Sequence, residues 1–157
     1  MTFTHEDLLK LLEIDDKNIE IPDIYDSIDW RAFRFPMTIP DFNSLIIPNS
    51  IMNIDDADLD NCDFEHIFIP KSITKLGRNA IRATNVYFED KSTIGEFYKK
   101  TEFFQGNNHD EAYAFDFHRG GCSAQDDRYE VITYNVKTFA SVYDKVTLEE
   151  FRKIIKQ

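Results

Sequence analysis

The sequence predicts an α+β protein: a short repeat solenoid with a parallel sheet, a helical cap at its N-terminal end and an α+β cap at its C-terminal end. Three observations predict it. An Ile-Pro pair recurs as Ile21-Pro22, Ile47-Pro48 and Ile69-Pro70, in steps of 26 and 22 residues. Apolar residues stand at matching distances around each copy: Ile19, Leu45 and Ile67 before it, and Ile28, Ile54 and Leu76 after it. Helix-start signals at Thr4 and Thr147 flank the repeats on both sides. A period of about 20–50 residues marks an array of small units, each of which buries its apolar side only by stacking on a neighbour.

Taken in order, Thr4 reads as an N-cap with Asp7 at the third helical position, and Leu8, Leu9, Leu11, Leu12 and Ile14 follow at roughly helical spacing. This predicts a helix over 5–13 within a cap of residues 1–18. The repeat array is assigned to residues 19–104. Each unit opens on an alternating segment, Ile19-Glu20-Ile21, Leu45-Ile46-Ile47 or Ile67-Phe68-Ile69, which predicts a strand. Proline has no N–H to give a ladder, so it ends each strand. The second apolar positions (Ile28, Ile54, Leu76) and the third (Phe33, Leu59, Ile81) are expected to turn inward on a short return arm or helix. A fourth, degenerate unit begins at Val86-Tyr87-Phe88, with Glu89 in the proline position. The stretch Phe35-Pro36-Met37-Thr38-Ile39-Pro40 lengthens the first unit as a loop.

Residues 105–157 read as a strand–strand–helix cap or subdomain. Gln105-Gly106-Asn107-Asn108 signals a turn. Strands are expected around Tyr113–Phe117 and Tyr129–Thr133, joined by a loop through Gly120-Gly121. Thr147 with Glu150 three later starts a closing helix, and Leu148, Phe151, Ile154 and Ile155 form its apolar face.

The strings Leu45-Ile46-Ile47-Pro48-Asn49-Ser50-Ile51 and Ile67-Phe68-Ile69-Pro70-Lys71-Ser72-Ile73-Thr74-Lys75-Leu76-Gly77 resemble the BspA-type leucine-rich repeat, whose unit runs I-x-I-P-x-S-V-x-x-I-G-x-x-A-F-x-x-C. Ala32 and Ala80 match its Ala, Phe33 its Phe and Cys62 its Cys. Asp55 replaces the Gly, Asp58 a small inward Ala, and Asp23 lies near the usual Ser. The resemblance covers about half the chain. It implies a curved leucine-rich-repeat-like scaffold used for protein contacts, without catalytic residues.

Composition narrows the function. The 157 residues include 14 Phe and 7 Tyr, enough for a packed core, and carry a net charge of −11. Residues 1–65 hold 16 Asp and Glu against 4 Lys and Arg, whereas the remainder is nearly balanced. This argues against direct nucleic-acid or anionic-membrane binding and for long-range attraction of a basic protein surface. No apolar run reaches the length of a membrane span and no export signal is visible, so a cytoplasmic location and reduced thiols at Cys62 and Cys122 are expected. No cofactor is expected.

Asp55, Asp56, Asp58, Asp60, Asp63 and Glu65 are the candidate partner-binding residues, an acidic ridge on one arm of the second unit. Asp56, Asp58 and Asp60 begin like a calcium loop, but Asn61 replaces its glycine and Ile67 its bidentate Glu, so no metal is assigned. The most enzyme-like string is His118-Arg119-Gly120-Gly121-Cys122-Ser123; without a motif that aims His118 at Cys122, a Cys122-dependent hydrolase is the weaker reading. Trp30, Phe33, Phe35 and Phe42 are expected to pack the long first unit, with a binding patch as the lesser alternative, and Phe97, Tyr98, Phe103 and Phe104 to seat the C-terminal cap; either cluster can still expose an aromatic anchor. The preferred reading is a non-enzymatic protein-binding module. In its sharper form it is a small acidic stoichiometric inhibitor of immunity, antitoxin or phage anti-defence type, with nucleic-acid mimicry as a variant. A plain structural or adaptor repeat protein is the alternative.

Overall fold

The computed structural model describes residues 1–55, 59–77, 81–94, 96–97 and 141–156. The chain opens with β1 (Thr2–Phe3) and helix α1 (His5–Ile14), then runs through β2 (Asn18–Glu20), β3 (Ser27–Ile28), β4 (Asp41–Ile46), β5 (Asn53–Ile54), β6 (Leu59–Ile69), β7 (Lys75–Leu76) and β8 (Ile81–Phe88). A 3-10 turn at Lys91–Thr93, β9 (Glu96–Phe97), β10 (Ser141–Tyr143) and helix α2 (Leu148–Ile155) complete the described chain. Every strand pairing among the described residues is parallel. The result is a mixed α/β fold in which one sheet has the order β10-β8-β6-β4-β2, a second β5-β7-β9 and a third β1-β3.

The ladder registers align the units. Ile19 pairs with Leu45, Leu45 with Ile67, Ile67 with Val86, and Val86 with Val142. The first four are buried and point into the main core. The second apolar positions are not helical: Ile28 lies in β3, while Ile54 and Leu76 pair with each other in β5 and β7. All three face the same core as the large sheet, as do Phe33, Leu59 and Ile81. The return arm is thus a two-residue strand, because the next Ile/Leu must come back to the core within a few residues.

The Pro-x-Ser spacing has a physical role. After each proline the chain makes a turn, with Tyr25 N–H donating to Pro22 O at 3.3 Å, Ile51 to Pro48 at 3.2 Å and Ile73 to Pro70 at 3.2 Å. The serine two residues past a proline then donates across to the previous turn: Ser50 Oγ to Tyr25 O, and Ser72 Oγ to Ile51 O at 2.8 Å. Thr93 Oγ1 repeats the contact on Ile73 O at 3.1 Å. Asp23 joins the same scheme, its Oδ1 accepting Ser50 N–H at 2.9 Å. In the fourth unit Glu89 stands in for proline, and its carboxylate accepts Lys71 N–H at 2.9 Å.

Two irregularities shape the large sheet. Asn43 N–H and Ser44 N–H both donate to Lys17 O, at 2.7 and 3.2 Å, a bulge that changes which side chains face inward. Phe42 and its partner Phe64 turn into the core, while Ser44 and its partner His66 lie on the other face. Between Leu59 and Phe64 the register against β8 shifts, so β6 carries extra residues where Cys62 and Asp63 stand.

Both described helices begin with the capping box their sequences predict. Thr4 and Asp7 exchange hydrogen bonds at the start of α1, as do Thr147 and Glu150 at the start of α2. Helix α2 lies on the outer face of the large sheet and seals a second apolar cluster of Ile46, Phe68, Tyr87 and Phe151. Arg152 clamps it with a bidentate pair to Glu20, 2.8 Å at each bond. Strand β10, three residues long, adds an unexpected fifth strand beside β8. The expected strands around 113–117 and 129–133 and the turn at 105–108 lie outside the described residues.

Candidate functional site

The six ridge carboxylates do not share one environment. Asp55 and Glu65 are exposed, and Glu65 accepts a bond from Asn85 Nδ2 at 3.5 Å. Asp63 is turned toward Arg82, with Oδ1 3.7 Å from Nε; Arg82 is buried. Asp56 and Asp58 lie outside the described residues, as does the side chain of Asp60. The topology adds one carboxylate that the ridge omitted: Asp41 pairs in register with Asp63 and is exposed. Asp15 and Asp16, just before β2, stand at the same end of the parallel strands and are also exposed. Asp15, Asp16, Asp41 and Asp63 thus form an acidic edge near the entry to β2, β4 and β6, in which Arg82 offsets the charge of Asp63.

Behind this edge the chemistry is quiet. Cys62 is buried and its Sγ donates to Phe33 O at 3.0 Å. Burial, reinforced by the Asp63 charge against a smaller opposing effect of Arg82, pushes its thiol up to about 12, far from nucleophilic. His66 sits over Tyr87, with Nδ1 3.3 Å from the Tyr87 hydroxyl and 3.4 Å from Asn85 Nδ2. Its burial holds it below the usual imidazole range, against the opposing pull of Glu65. The string His118 to Ser123 lies outside the described residues, as do Tyr98, Phe103 and Phe104 and the side chain of Phe97. Among the described residues, no three His, Cys, Asp or Glu side chains gather as a metal site. No described helix is long and apolar enough to cross a membrane.

The first unit departs from expectation at Trp30. Phe33 and Phe42 are buried and Phe35 is half-buried, but Trp30 is 55% exposed. The correction has a local cause. The turn after β3 commits Ala32 and Phe33 to the core, which leaves Trp30 on the opposite side. Two guanidiniums hold the ring there, Arg31 at 5.4 Å and Arg34 at 4.8 Å from its centroid.

Trp30 forms a wall of an open cleft of about 1050 Å³ that also takes in His5, Leu9, Arg34, Phe35, Met37 and Ile39. Its floor is anchored: Phe35 packs edge-on against His5 at 4.9 Å and leans on Phe42 at 6.3 Å. His5 Nδ1 lies 2.9 Å from Ala32 O, which ties α1 to the turn. The sequence expectation sets Trp30 mainly among the core aromatics, with a binding patch as the lesser alternative, and does not include Arg31 or Arg34. The available signal was Trp30-Arg31-Ala32-Phe33-Arg34, which places half of the four Lys and Arg residues of positions 1–65 around the single Trp.

The chain matches no family model, no curated protein and no solved structure.

Proposed function

We propose that this chain is a short leucine-rich-repeat-like solenoid of the BspA-related kind that works as a non-enzymatic protein-binding module. In the sharper form of this reading it is a small acidic stoichiometric inhibitor that covers a basic surface on a partner, in the manner of an immunity protein, antitoxin or anti-defence factor. The repeat reading draws support from the aligned Ile19–Leu45–Ile67–Val86 row and from the serine contacts that recur from turn to turn. A rigid stack suits recognition because little ordering entropy is lost on docking. The observation that carries the binding reading is the acidic edge: Asp15, Asp16 and Asp41 are exposed where β2 and β4 begin, Glu65 is exposed within the neighbouring β6, and Asp55 is exposed after β5, all in the part of the chain that holds 16 acidic against 4 basic residues.

Such an edge would raise the association rate with a basic surface and fix its orientation, and it would do so less at high salt. The test is capture of the partner from the native host, followed by equilibrium binding of the purified pair. Replacing Asp41, Asp55 and Glu65 together with Lys is expected to weaken binding by at least about tenfold at low salt, and the wild-type affinity is expected to fall steeply as salt is added. Unchanged affinity in the triple variant, with no salt dependence, would leave the adaptor reading in its place, since an apolar interface scarcely responds to ionic strength.

A further inference from the structure

We propose that the cleft beside Trp30 is a second, separate recognition site, which takes an extended protein segment carrying a bulky apolar side chain next to a carboxylate. Three observations at different residues support it, and none involves the acidic edge. The first is the apolar lining. Leu9, Trp30, Met37 and Ile39 are 45%, 55%, 102% and 51% exposed, although all four border one cleft anchored on the core through Phe35. Aromatic and Arg residues in such settings are the usual energetic centres of protein interfaces.

The second is the charge. Arg31 is already engaged by Asp29, with Nε–Oδ1 at 3.3 Å and a second bond at 3.5 Å. Arg34 makes no ion pair among the described residues; its guanidinium rests on the Trp30 face and remains exposed. The cleft is bordered by two carboxylates, Glu6 and Asp29, and two guanidiniums; with Asp29 taken up by Arg31, Arg34 is the planar positive group fixed on the ring beside the apolar part of the lining. That geometry suits a single carboxylate held by paired N–H bonds.

The third is the backbone. Met37 has φ of 62°, the left-handed region that a bulky non-glycine residue avoids, yet its side chain is fully exposed, so core packing does not require it there. Strain of this kind gathers where a loop presents a side chain to a ligand.

Other occupants fit less well. Nucleic acid brings a row of phosphates, of which the single Arg34 guanidinium can meet only one, to a chain of net charge −11. A small inorganic anion would leave most of the 1050 Å³ and its apolar lining unused. A second copy brings the same net charge of −11 to the contact.

Trp30 is the single tryptophan of the chain, so its fluorescence reports on this site alone. The probe is the blocked peptide Ac-Gly-Ser-Gly-Leu-Phe-Asp-Gly-Ser-NH2, with one control in which Asn replaces Asp and another in which two Ser replace Leu-Phe. The Asp peptide is expected to give a saturable emission shift. The Asn peptide is expected to bind about tenfold more weakly, the loss of one charge-assisted contact, and the Ser-Ser peptide more weakly still. Arg34→Gln is expected to abolish the preference for Asp over Asn while far-UV circular dichroism stays unchanged, and Met37→Ala to weaken both peptides alike. The proposal is overturned if the Asp peptide does not saturate, if wild type binds Asp and Asn peptides equally, or if Arg34→Gln keeps the preference. An equal shift with a single-stranded oligonucleotide, or self-association on sedimentation that Arg34→Gln abolishes, also overturns it.

Discussion

Ser50 and Ser72, each two residues after a proline, spend a hydroxyl on a carbonyl of the preceding turn, and Thr93, four residues after Glu89, makes the same kind of bond to Ile73 O. Each such bond satisfies a carbonyl that the turn leaves without a partner in the ladder. Ser72→Ala is expected to lower the unfolding free energy by about 1 kcal/mol, the usual net worth of such a bond, read as a shift of the urea midpoint with an unchanged slope. Cys62 tests the interior in another way. With its thiol at about 12 and its side chain buried under Phe33, it is expected to resist a thiol reagent at about pH 8 in the native protein and to react promptly in urea. Peptide mapping after labelling separates it from Cys122; rapid native labelling at Cys62 would mean that the irregular segment of β6 opens.

At the scale of elements, α2 is held by few contacts. Phe151 is its one fully buried residue, packed at 5.4 Å from Phe68 and 5.3 Å from Tyr87, and Arg152 pairs with Glu20. Phe151→Ala is expected to cost about 3 kcal/mol and to raise hydrogen exchange throughout α2 before the strands of the main core respond. The turn after β10 is fastened separately. Lys145 Nζ lies 2.8 Å from Asp90 Oδ1, and this bond, with help from Ser92, draws the Asp90 carboxyl down to about 2 from the usual 3.8. A carboxylate depressed on folding stabilises the fold fully above its unfolded value and loses that contribution as pH falls toward the folded one. Stability is therefore expected to decline between pH 3.8 and about 2 on account of this pair. Lys145→Ala should flatten that part of a thermal-melting profile; an unchanged profile would show that the pair contributes nothing to it.

At the scale of the molecule, one core runs from Phe3 and Leu8 beneath α1 to Val86 and Phe88 in the fourth unit. Acidic side chains line one edge of this continuous interior, where parallel strands place Asp41 beside Asp63. Like charges in register repel, and Arg82 offsets only the inner one. The melting temperature is accordingly expected to rise when salt is raised from about 20 mM to about 300 mM, while affinity for a basic partner falls. A melting temperature insensitive to salt would show that the edge carboxylates are already compensated within the fold. Both responses come from one charge distribution, in which residues 1–65 carry the entire negative excess.

The elements most fully legible in the sequence are those whose signals are local. The capping boxes at Thr4 and Thr147 fix both helix starts by bonds spanning three residues. The Ile-Pro spacing gives the strand row Ile19, Leu45 and Ile67, because a period of two and a proline stop are written within each of those segments, and the apolar run Val86-Tyr87-Phe88 extends it to Val86 without a proline. Asp55 and Glu65 could likewise be read as exposed from the excess of acid around them. What the linear order concealed depends on partners far apart in the chain. Asp63 is turned toward Arg82 only because β6 and β8 lie side by side with a shifted register. Asp41 joins the acidic edge only through its pairing with Asp63, and Arg152 finds Glu20 across 132 positions. Trp30 stays outside because burying Ala32 and Phe33 settles the direction of the whole turn. Sequence alone determined which residues prefer strand, helix or interior, since those preferences act over a few bonds; the tertiary structure decided which charges meet and which aromatic is left to solvent, since that follows from how the packed strands align.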